Sequence, residues 1–367
     1  MSARSAALLR ILGVTLLAAA CAGPMRSQGI GDTAAHHYAV GMKLLETNEP
    51  GRAVEEFERA RALAPDHAPA YEGLGLAALA RKDLAAAERY LKRAKAKESS
   101  YVPAYLGLAR VYSAKGDHDA AKREVEAAVK REPRNPRAHL VSGQVLLRAF
   151  DFTHAEASFA RALELEPASG EARREWDRSV KIRQAAPGTI VGKRIALADP
   201  ITRGELAALL ATELNVESHL RRKRPEIFDP SFRAPGAVAT PAVKAPSDIA
   251  THWARNAVEL VTRLNLMDLY PDDSFRPEEP VTRAALATTL EQILAVAAND
   301  PAIKTRYVGQ QSPFPDLRSD HFAYNVVVVV TTRGLMEGER PSGAFRLTRP
   351  VSGPEALVAV RKLAELF

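Results

Sequence analysis

The sequence predicts an all-α protein made of two helical regions in series. Residues 34–167 repeat with a period of 34 positions, and residues 195–367 hold a longer, imperfect repeat with recurring helix-start signals. The composition is that of a globular protein, with 46% hydrophobic and 26% charged residues. At 367 residues the chain is long enough for two or three domains.

Five series of residues share the 34-residue period. Three series consist of glycine or alanine, one is large and apolar, and one is a helix stop, mostly proline. Small side chains let two helices cross closely, the large residue fills the space beside the crossing, and proline ends the second helix because it lacks an amide hydrogen. The small residues of the first series are Gly41, Gly75, Ala109 and Gly143, and the large residues are Phe57, Leu91, Val125 and Phe159.

In these features the first region resembles tetratricopeptide repeats. The resemblance implies a superhelix of four helix pairs closed by a capping helix around Trp176, together residues 34–183, with a concave groove lined by the first helix of each pair. The groove residues it implies are Met42, Leu45, Glu72, Leu76, Leu79, Leu106, Arg110, Ser113, Leu140, Gln144 and Leu147. Because most are apolar, the expected partner is a protein client, bound as an extended peptide or an amphipathic helix. The alternative is that the leucines pack on neighbouring repeats or on the second region.

The second region follows a predicted linker at residues 184–194 and contains three copies of a motif, at about 195–214, 246–297 and 314–367. The second copy is the clearest: His252-Trp253 precedes a helix, a Pro-Asp-Asp-Ser-Phe turn follows, and Val281-Thr282-Arg283 opens another helix. These motifs resemble the S-layer homology family. The resemblance implies a helical bundle whose grooves between copies bind acidic cell-wall polysaccharide.

Capping chemistry explains part of this motif. Thr202 and Glu205 have the spacing of a capping box, and Asp side chains such as Asp272 bond the local backbone in turns. A cap has no use for the arginine that follows the threonine, whereas its planar fork can grip a carboxylate. The glycan-binding residues that the resemblance implies are Arg203, Arg283, Thr202, Thr282, Trp253 and Asp272.

Two features of this region leave the glycan site open to another interpretation. Gly353 stands at the arginine position of the third copy, and Ala285 replaces the capping glutamate of the second. The copies could therefore serve only to pack against protein, and Trp253 could be a buried structural residue.

The N-terminal residues predict export. Arg4 and Arg10 precede a short apolar run, and Leu17-Ala18-Ala19-Ala20 leads to Cys21, the single cysteine. This resembles a lipobox, which implies a signal peptide at residues 1–20, acylation of Cys21 and a linker at 21–33. Ala22 after the cysteine indicates the periplasmic side of the outer membrane, where the acyl chains would bind the membrane. The alternative is a plain signal peptide cut near Ala20.

Charge and motifs also exclude function classes. The net charge of +7 favours anionic partners. Nucleic acid is not expected among them, because no basic helix with side chains that could contact bases is apparent. The run at residues 221–224 (Arg-Arg-Lys-Arg) is either a solvated face or a contact for anionic lipid or wall polymer. No catalytic constellation, zinc spacing or phosphate loop is present, so we expect no enzyme, no metal and no cofactor.

The segment from Val326 to Val330 gives conflicting signals. Five consecutive β-branched residues favour a buried strand. The flanking residues align without a gap to the helix that follows His252-Trp253 in the second copy, so we predict a helix.

The expected function is a lipid-anchored envelope adaptor, with the repeats binding a protein client and the second region binding wall glycan or peptidoglycan. The alternative is an assembly scaffold of a secretion or surface-polysaccharide complex whose second region binds protein only.

Overall fold

The computed structural model describes residues 29, 31–229, 231 and 245–367, and every regular element in these residues is a helix. The all-α prediction is therefore confirmed. The predicted export signal and Cys21 lie outside the described residues. The described residues divide into two compact units, the first ending at Asp117 and the second beginning at His118.

The first unit contains two complete helix pairs and the first helix of a third. Thr33 caps the first helix by accepting a hydrogen bond from the His36 N–H, and Asp83 caps the fourth by accepting one from the Ala86 N–H. Proline occupies one of the first two positions of the other three helices, where its missing amide hydrogen costs nothing. The helices are α1 (Ala34–Glu46), α2 (Pro50–Leu63), α3 (Ala68–Ala80), α4 (Leu84–Lys97) and α5 (Val102–Lys115).

The small and large residues of the repeat occupy complementary space. Phe57 of α2 is fully buried, and a Cβ added at Gly41 of α1 would lie 2.5 Å from its ring. In the second unit the same relation holds between Gly143 and Phe159, with a Cβ–ring distance of 2.4 Å. The glycines are therefore required by close helix packing, as the period predicts.

The second unit contains eleven α-helices in the described ranges. All of them except the first, His118–Arg131, contribute buried residues to one hydrophobic cluster that extends from Leu140 to Leu363. The helices are α6 (His118–Arg131), α7 (Pro136–Arg148), α8 (Phe152–Leu165), α9 (Gly170–Ala185), α10 (Ile190–Ile195), α11 (Arg203–Thr212), α12 (Val216–Lys223), α13 (Arg255–Arg263), α14 (Arg283–Ala298), α15 (Tyr324–Thr332) and α16 (Gly353–Ala364), with 3₁₀ turns at Pro225–Ile227 and Pro301–Thr305.

The predicted capping helix and linker differ in extent from the structure. The capping helix is α9, which ends at Ala185 and packs against both α8 and α16. The linker is largely structured, because α10 begins at Ile190 and the Glu213 carboxylate accepts hydrogen bonds from the Gly188 and Thr189 N–H groups. The boundary between compact units consequently falls within the repeats and not at the linker.

The valine-rich segment forms helix α15, as predicted from the alignment of the copies. Val327, Val329 and Val330 are fully buried, and α15 packs against α14. Burial of these side chains outweighs the weak strand preference of β-branched residues.

The three copies of the second region meet in a closed ring of backbone hydrogen bonds. Ile201 N–H donates to the Val351 carbonyl, Val351 N–H to the Val281 carbonyl and Val281 N–H to the Ile201 carbonyl, each at 2.9 Å. All three side chains are buried. Each residue stands two positions before a helix, so the ring brings the starts of α11, α14 and α16 together.

Candidate functional site

Three junctions connect the copies, each formed by a helix start and a segment of another copy. At the first junction, Arg203 of α11 meets the turn at 268–277; at the second, Arg283 of α14 meets the turn at 337–347. At the third, Gly353 of α16 meets residues 195–198.

The two motif threonines act as helix caps. Thr202 accepts a hydrogen bond from the Glu205 N–H at 3.3 Å, and the Glu205 carboxylate accepts one from the Thr202 N–H at 2.8 Å. The predicted capping box is therefore present. Thr282 accepts a hydrogen bond from the Ala285 N–H at 3.2 Å, so its hydroxyl caps α14 in the same way.

The acidic turn of the second copy is organised by its own side chains. Asp272 accepts hydrogen bonds from the Ser274 hydroxyl at 2.5 Å and from the Ser274 N–H at 3.1 Å, and these bonds lower the pKa of the exposed carboxyl. Asp248 accepts hydrogen bonds from the Phe275 and Arg276 N–H groups at 2.9 and 2.7 Å. The Phe275 side chain is fully buried, so the turn is held firmly at the first junction.

Arg203 joins the start of α11 to this turn. Its Nε donates to the Phe275 carbonyl at 2.8 Å and its Nη2 to the Asp268 carbonyl at 2.7 Å. The guanidinium lies 5.1 Å from the Tyr270 ring centre and 4.6 Å from that of Phe275. The arginine therefore has a structural use that reasoning from capping alone missed.

One edge of the Arg203 guanidinium remains available. Among the described residues, Nη1 has no hydrogen-bond acceptor and no carboxylate forms an ion pair with Arg203. Burial lowers the pKa of the guanidinium, while Tyr270 and Glu279 act to raise it. Arg276 also lies over Tyr270, at 3.8 Å from the ring centre, so two cations converge on this aromatic residue.

The structure does not place Arg283 in an open groove, contrary to the sequence prediction. Only 4% of Arg283 is exposed. Its Nε donates to the Phe345 carbonyl at 2.7 Å, its Nη2 donates to the Glu337 carbonyl, and its Nη1 donates to the Glu355 carboxylate. Every nitrogen of this guanidinium is engaged within the protein, because Glu355 supplies the carboxylate that Arg203 lacks.

Glu355 belongs to a chain of alternating charges at the second junction. It also pairs with Arg349 at 2.7 Å, Arg349 lies 2.9 Å from Glu339, and Glu339 pairs with Arg346. By contrast, the equivalent Glu205 of the first copy bonds its own cap residue. Glu355 thus pairs with Arg283, the motif arginine that it faces. Glu205 faces Gly353 at the third junction, where there is no arginine to pair with.

The third junction has no space for a side chain at the arginine position. Gly353 N–H donates to the Ala198 carbonyl at 2.9 Å. A Cβ at Gly353 would lie 1.8 Å from the Ile195 carbonyl oxygen, well inside van der Waals contact. Backbone fills the position that a guanidinium occupies at the other junctions.

Trp253 is exposed, so the alternative of a buried structural tryptophan is wrong. It is 55% exposed and lies at a groove of about 510 Å³ between α11 and α13, whose apolar lining includes Ala208 and Leu260. The lining of this groove does not include Arg203. Phe322, the equivalent residue of the third copy, is 88% exposed, and sequence reasoning did not select it.

The predicted peptide groove is only partly accessible. The buried members are Glu72, Leu106, Ser113, Leu140 and Leu147, and the partly exposed members are Met42, Leu45, Leu76, Leu79, Arg110 and Gln144. Glu72 accepts a hydrogen bond from the Tyr38 hydroxyl at 2.8 Å, and Leu140 and Leu147 belong to the core of the second unit. For these two leucines the alternative of packing within the protein is correct.

Other site types are not found in the part of the chain that the structure describes. No group of three or more His, Cys, Asp or Glu side chains there could hold a metal ion. No described helix is long and apolar enough to cross a membrane.

The fold and the junctions define a protein of helix-pair repeats joined to a helical bundle of three motif copies. An S-layer homology domain model matches residues 247–287, and two tetratricopeptide repeat models match residues 38–103 and 78–145. Tetratricopeptide repeats and an S-layer homology domain are therefore present in this chain.

The chain is similar to two curated proteins of Acetivibrio thermocellus. It is 26% identical over 181 residues to cell surface glycoprotein 1 and 25% identical over 168 residues to a cellulosome-anchoring protein. The alignments cover 49% and 45% of this chain but 8% and 32% of the relatives, so the chain spans less than a third of either.

Solved structures of similar chains include a tetratricopeptide protein of Thermus thermophilus and MamA. The first is 22% identical, covers 40% of this chain and 81% of its own, and has a TM-score of 0.38. MamA is 28% identical, covers 36% of this chain and 78% of its own, and has a TM-score of 0.31.

Proposed function

We propose that this chain is a non-catalytic cell-envelope adaptor that binds an acidic wall polysaccharide at the first junction and a protein client through its repeats. The single observation that supports the glycan site is the unengaged Nη1 edge of Arg203, beside Tyr270 and Arg276. An arginine that lacks a protein carboxylate can donate to the carboxylate of an acidic sugar.

The client site is best assigned to the partly exposed apolar residues of the first unit. Met42 and Leu45 project from α1, and Leu76 and Leu79 from α3, which are adjacent helices in the packing. Such a surface suits an amphipathic helix or an extended peptide. Acylation of Cys21 would attach this adaptor to the periplasmic side of the outer membrane, because several acyl chains together bind a bilayer firmly.

A second function is favoured by the closure of two junctions. Arg283 is buried, and backbone atoms fill the space beside Gly353, so the second region could act as a packing module of an assembly scaffold. In that case the chain would hold protein partners together without contacting glycan.

Sedimentation with isolated cell walls tests the two functions. The full chain should sediment with intact walls and remain in the supernatant with walls stripped of their acidic polysaccharide by mild acid. Equal sedimentation with both preparations, or with neither, would favour the scaffold.

A further inference from the structure

The basic run at residues 221–224 lies at the C-terminal end of helix α12, and its side chains have different surroundings. Arg221 and Arg224, three positions apart, both line a pocket of about 800 Å³. By contrast, the Arg222 guanidinium lies 2.8 Å from His219, and Lys223 lies over the Phe367 ring at 5.0 Å. Arg221, Arg222 and Lys223 remain exposed, and the side chains of the run have separate neighbours.

The pocket, hereafter the basic pocket, collects cations from separate elements. Arg263 from the end of α13 and Lys304 from the turn at 301–305 join Arg221 and Arg224 in its lining. Within the described ranges, Lys304 has no ion-pair partner. Four cations thus face one concavity, and one acidic residue, Asp300, is part of the lining.

The carboxylates around the basic pocket do not neutralise it. Glu217 pairs with Arg221 at 2.7 Å and lies 3.7 Å from Arg263. Glu226 pairs with Arg224, and Asp300 pairs with Arg306 at 2.8 Å. Counting Arg306, five cations oppose these three carboxylates. The buried Glu291 also interacts with Lys304, and burial raises the pKa of its carboxyl, so the balance is at least one positive charge.

The remaining lining suits a hydroxylated ligand. The amide side chains Asn265, Gln292 and Asn299 line the pocket and can both donate and accept hydrogen bonds. Phe228 adds a partly buried aromatic ring, with the Arg221 guanidinium 4.3 Å from its centre. A volume of about 800 Å³ lies in the usual range for small-ligand sites.

We propose that the basic pocket binds an anionic saccharide that carries carboxylate or phosphate groups, as a second site separate from Arg203. This inference rests on the proposed wall-binding function and extends it to a second contact on the same polymer. Two contacts on one chain would raise the overall affinity through a high effective concentration. A lipid surface fits less well, because the cations and amides line a concavity.

Titration calorimetry of the full chain with trigalacturonate tests this proposal, with the neutral α-linked trisaccharide maltotriose as the comparison ligand. The variant Arg263→Gln/Lys304→Gln removes two exposed cations of the basic pocket. The matched control Arg318→Gln/Arg361→Gln removes two exposed arginines outside its lining, and Arg361, like Arg263, stands in the last turn of a helix.

Trigalacturonate should bind the wild type and the control equally, and the pocket variant at least tenfold more weakly, while maltotriose should not bind. No binding of trigalacturonate, or equal binding by the pocket variant, would overturn the proposal. A third outcome would assign the pocket to lipid instead: the wild type binds phosphatidylglycerol vesicles but not trigalacturonate, and the pocket variant no longer binds the vesicles. If the pocket variant still sediments with isolated cell walls, the proposed function at Arg203 is retained even when the proposal for the basic pocket fails.

Discussion

The first and second junctions use the same motif arginine for different purposes. At the second junction Arg283 is buried and its Nη1 is paired with Glu355. At the first junction Arg203 makes the two equivalent backbone hydrogen bonds, but Ala285 stands where the second junction has Glu355. A single carboxylate therefore decides whether this arginine is a closed structural ion pair or an available cation.

The residues around the two arginines also favour ion pairing at the second junction and an available cation at the first. Glu339 of the second junction extends the chain of charges to Arg346, whereas Tyr270 at the equivalent turn position of the first junction presents an aromatic ring to Arg203 and Arg276. The second junction is consequently saturated by ion pairs, and the first is suited to an external anion.

The largest effect is expected from opening the second junction. Glu355→Ala leaves the buried Arg283 without its counter-charge, and loss of one partner of a buried pair costs about 3–5 kcal/mol. Denaturant unfolding should show this loss of stability. The control Glu337→Ala removes an exposed partner of Lys362 and should cost below ~1 kcal/mol. Equal stability of the two variants would show that the Arg283 pair is not a buried structural pair.

A smaller effect is expected at the third junction. Gly353→Ala forces a methyl group against the Ile195 carbonyl and should cost about 1–3 kcal/mol, or more if α16 cannot shift. The control Gly170→Ala, whose added Cβ would meet only the Arg174 side chain at 3.6 Å, should unfold at or above the wild-type temperature. A wild-type melting temperature for Gly353→Ala would contradict the close approach of the backbone.

The sequence predicted the parts of this comparison that depend on local chemistry. The 34-residue period, the capping box of Thr202 and Glu205, and the helical state of the valine-rich segment all follow from short-range patterns or from alignment of the copies. Each is confirmed by the structure.

The roles of the arginines could not be predicted in the same way. Glu355 is 72 positions from Arg283, and the carbonyl partners of Arg203 are 65 and 72 positions away. Burial of Leu147 likewise depends on a core shared with distant helices. The sequence at a helix start therefore predicts the capping residue. It does not predict which segment of another copy the following arginine will contact.

The smallest effect concerns the caps. Thr202→Ala removes an N-cap hydrogen bond and should lower the free energy of unfolding by about 1 kcal/mol. Ser352→Ala should have almost no effect, because the Ser352 side chain caps nothing. Both residues stand at the N-cap of a helix, so thermal unfolding of the two variants gives the comparison. A larger loss for Ser352→Ala than for Thr202→Ala would reverse the assignment of the caps.

The most direct test supplies the first junction with the carboxylate that it lacks. Ala285→Glu should pair with Arg203 as Glu355 pairs with Arg283, while Ala285→Gln has a similar shape without the charge. Losing one charge-assisted hydrogen bond costs about 1.5–3 kcal/mol, or roughly ten- to a hundredfold in affinity. In sedimentation with isolated cell walls, Ala285→Glu should bind at least tenfold more weakly than wild type, and Ala285→Gln should bind nearly as wild type. Undiminished wall binding by Ala285→Glu would contradict the account that Arg203 is the glycan contact.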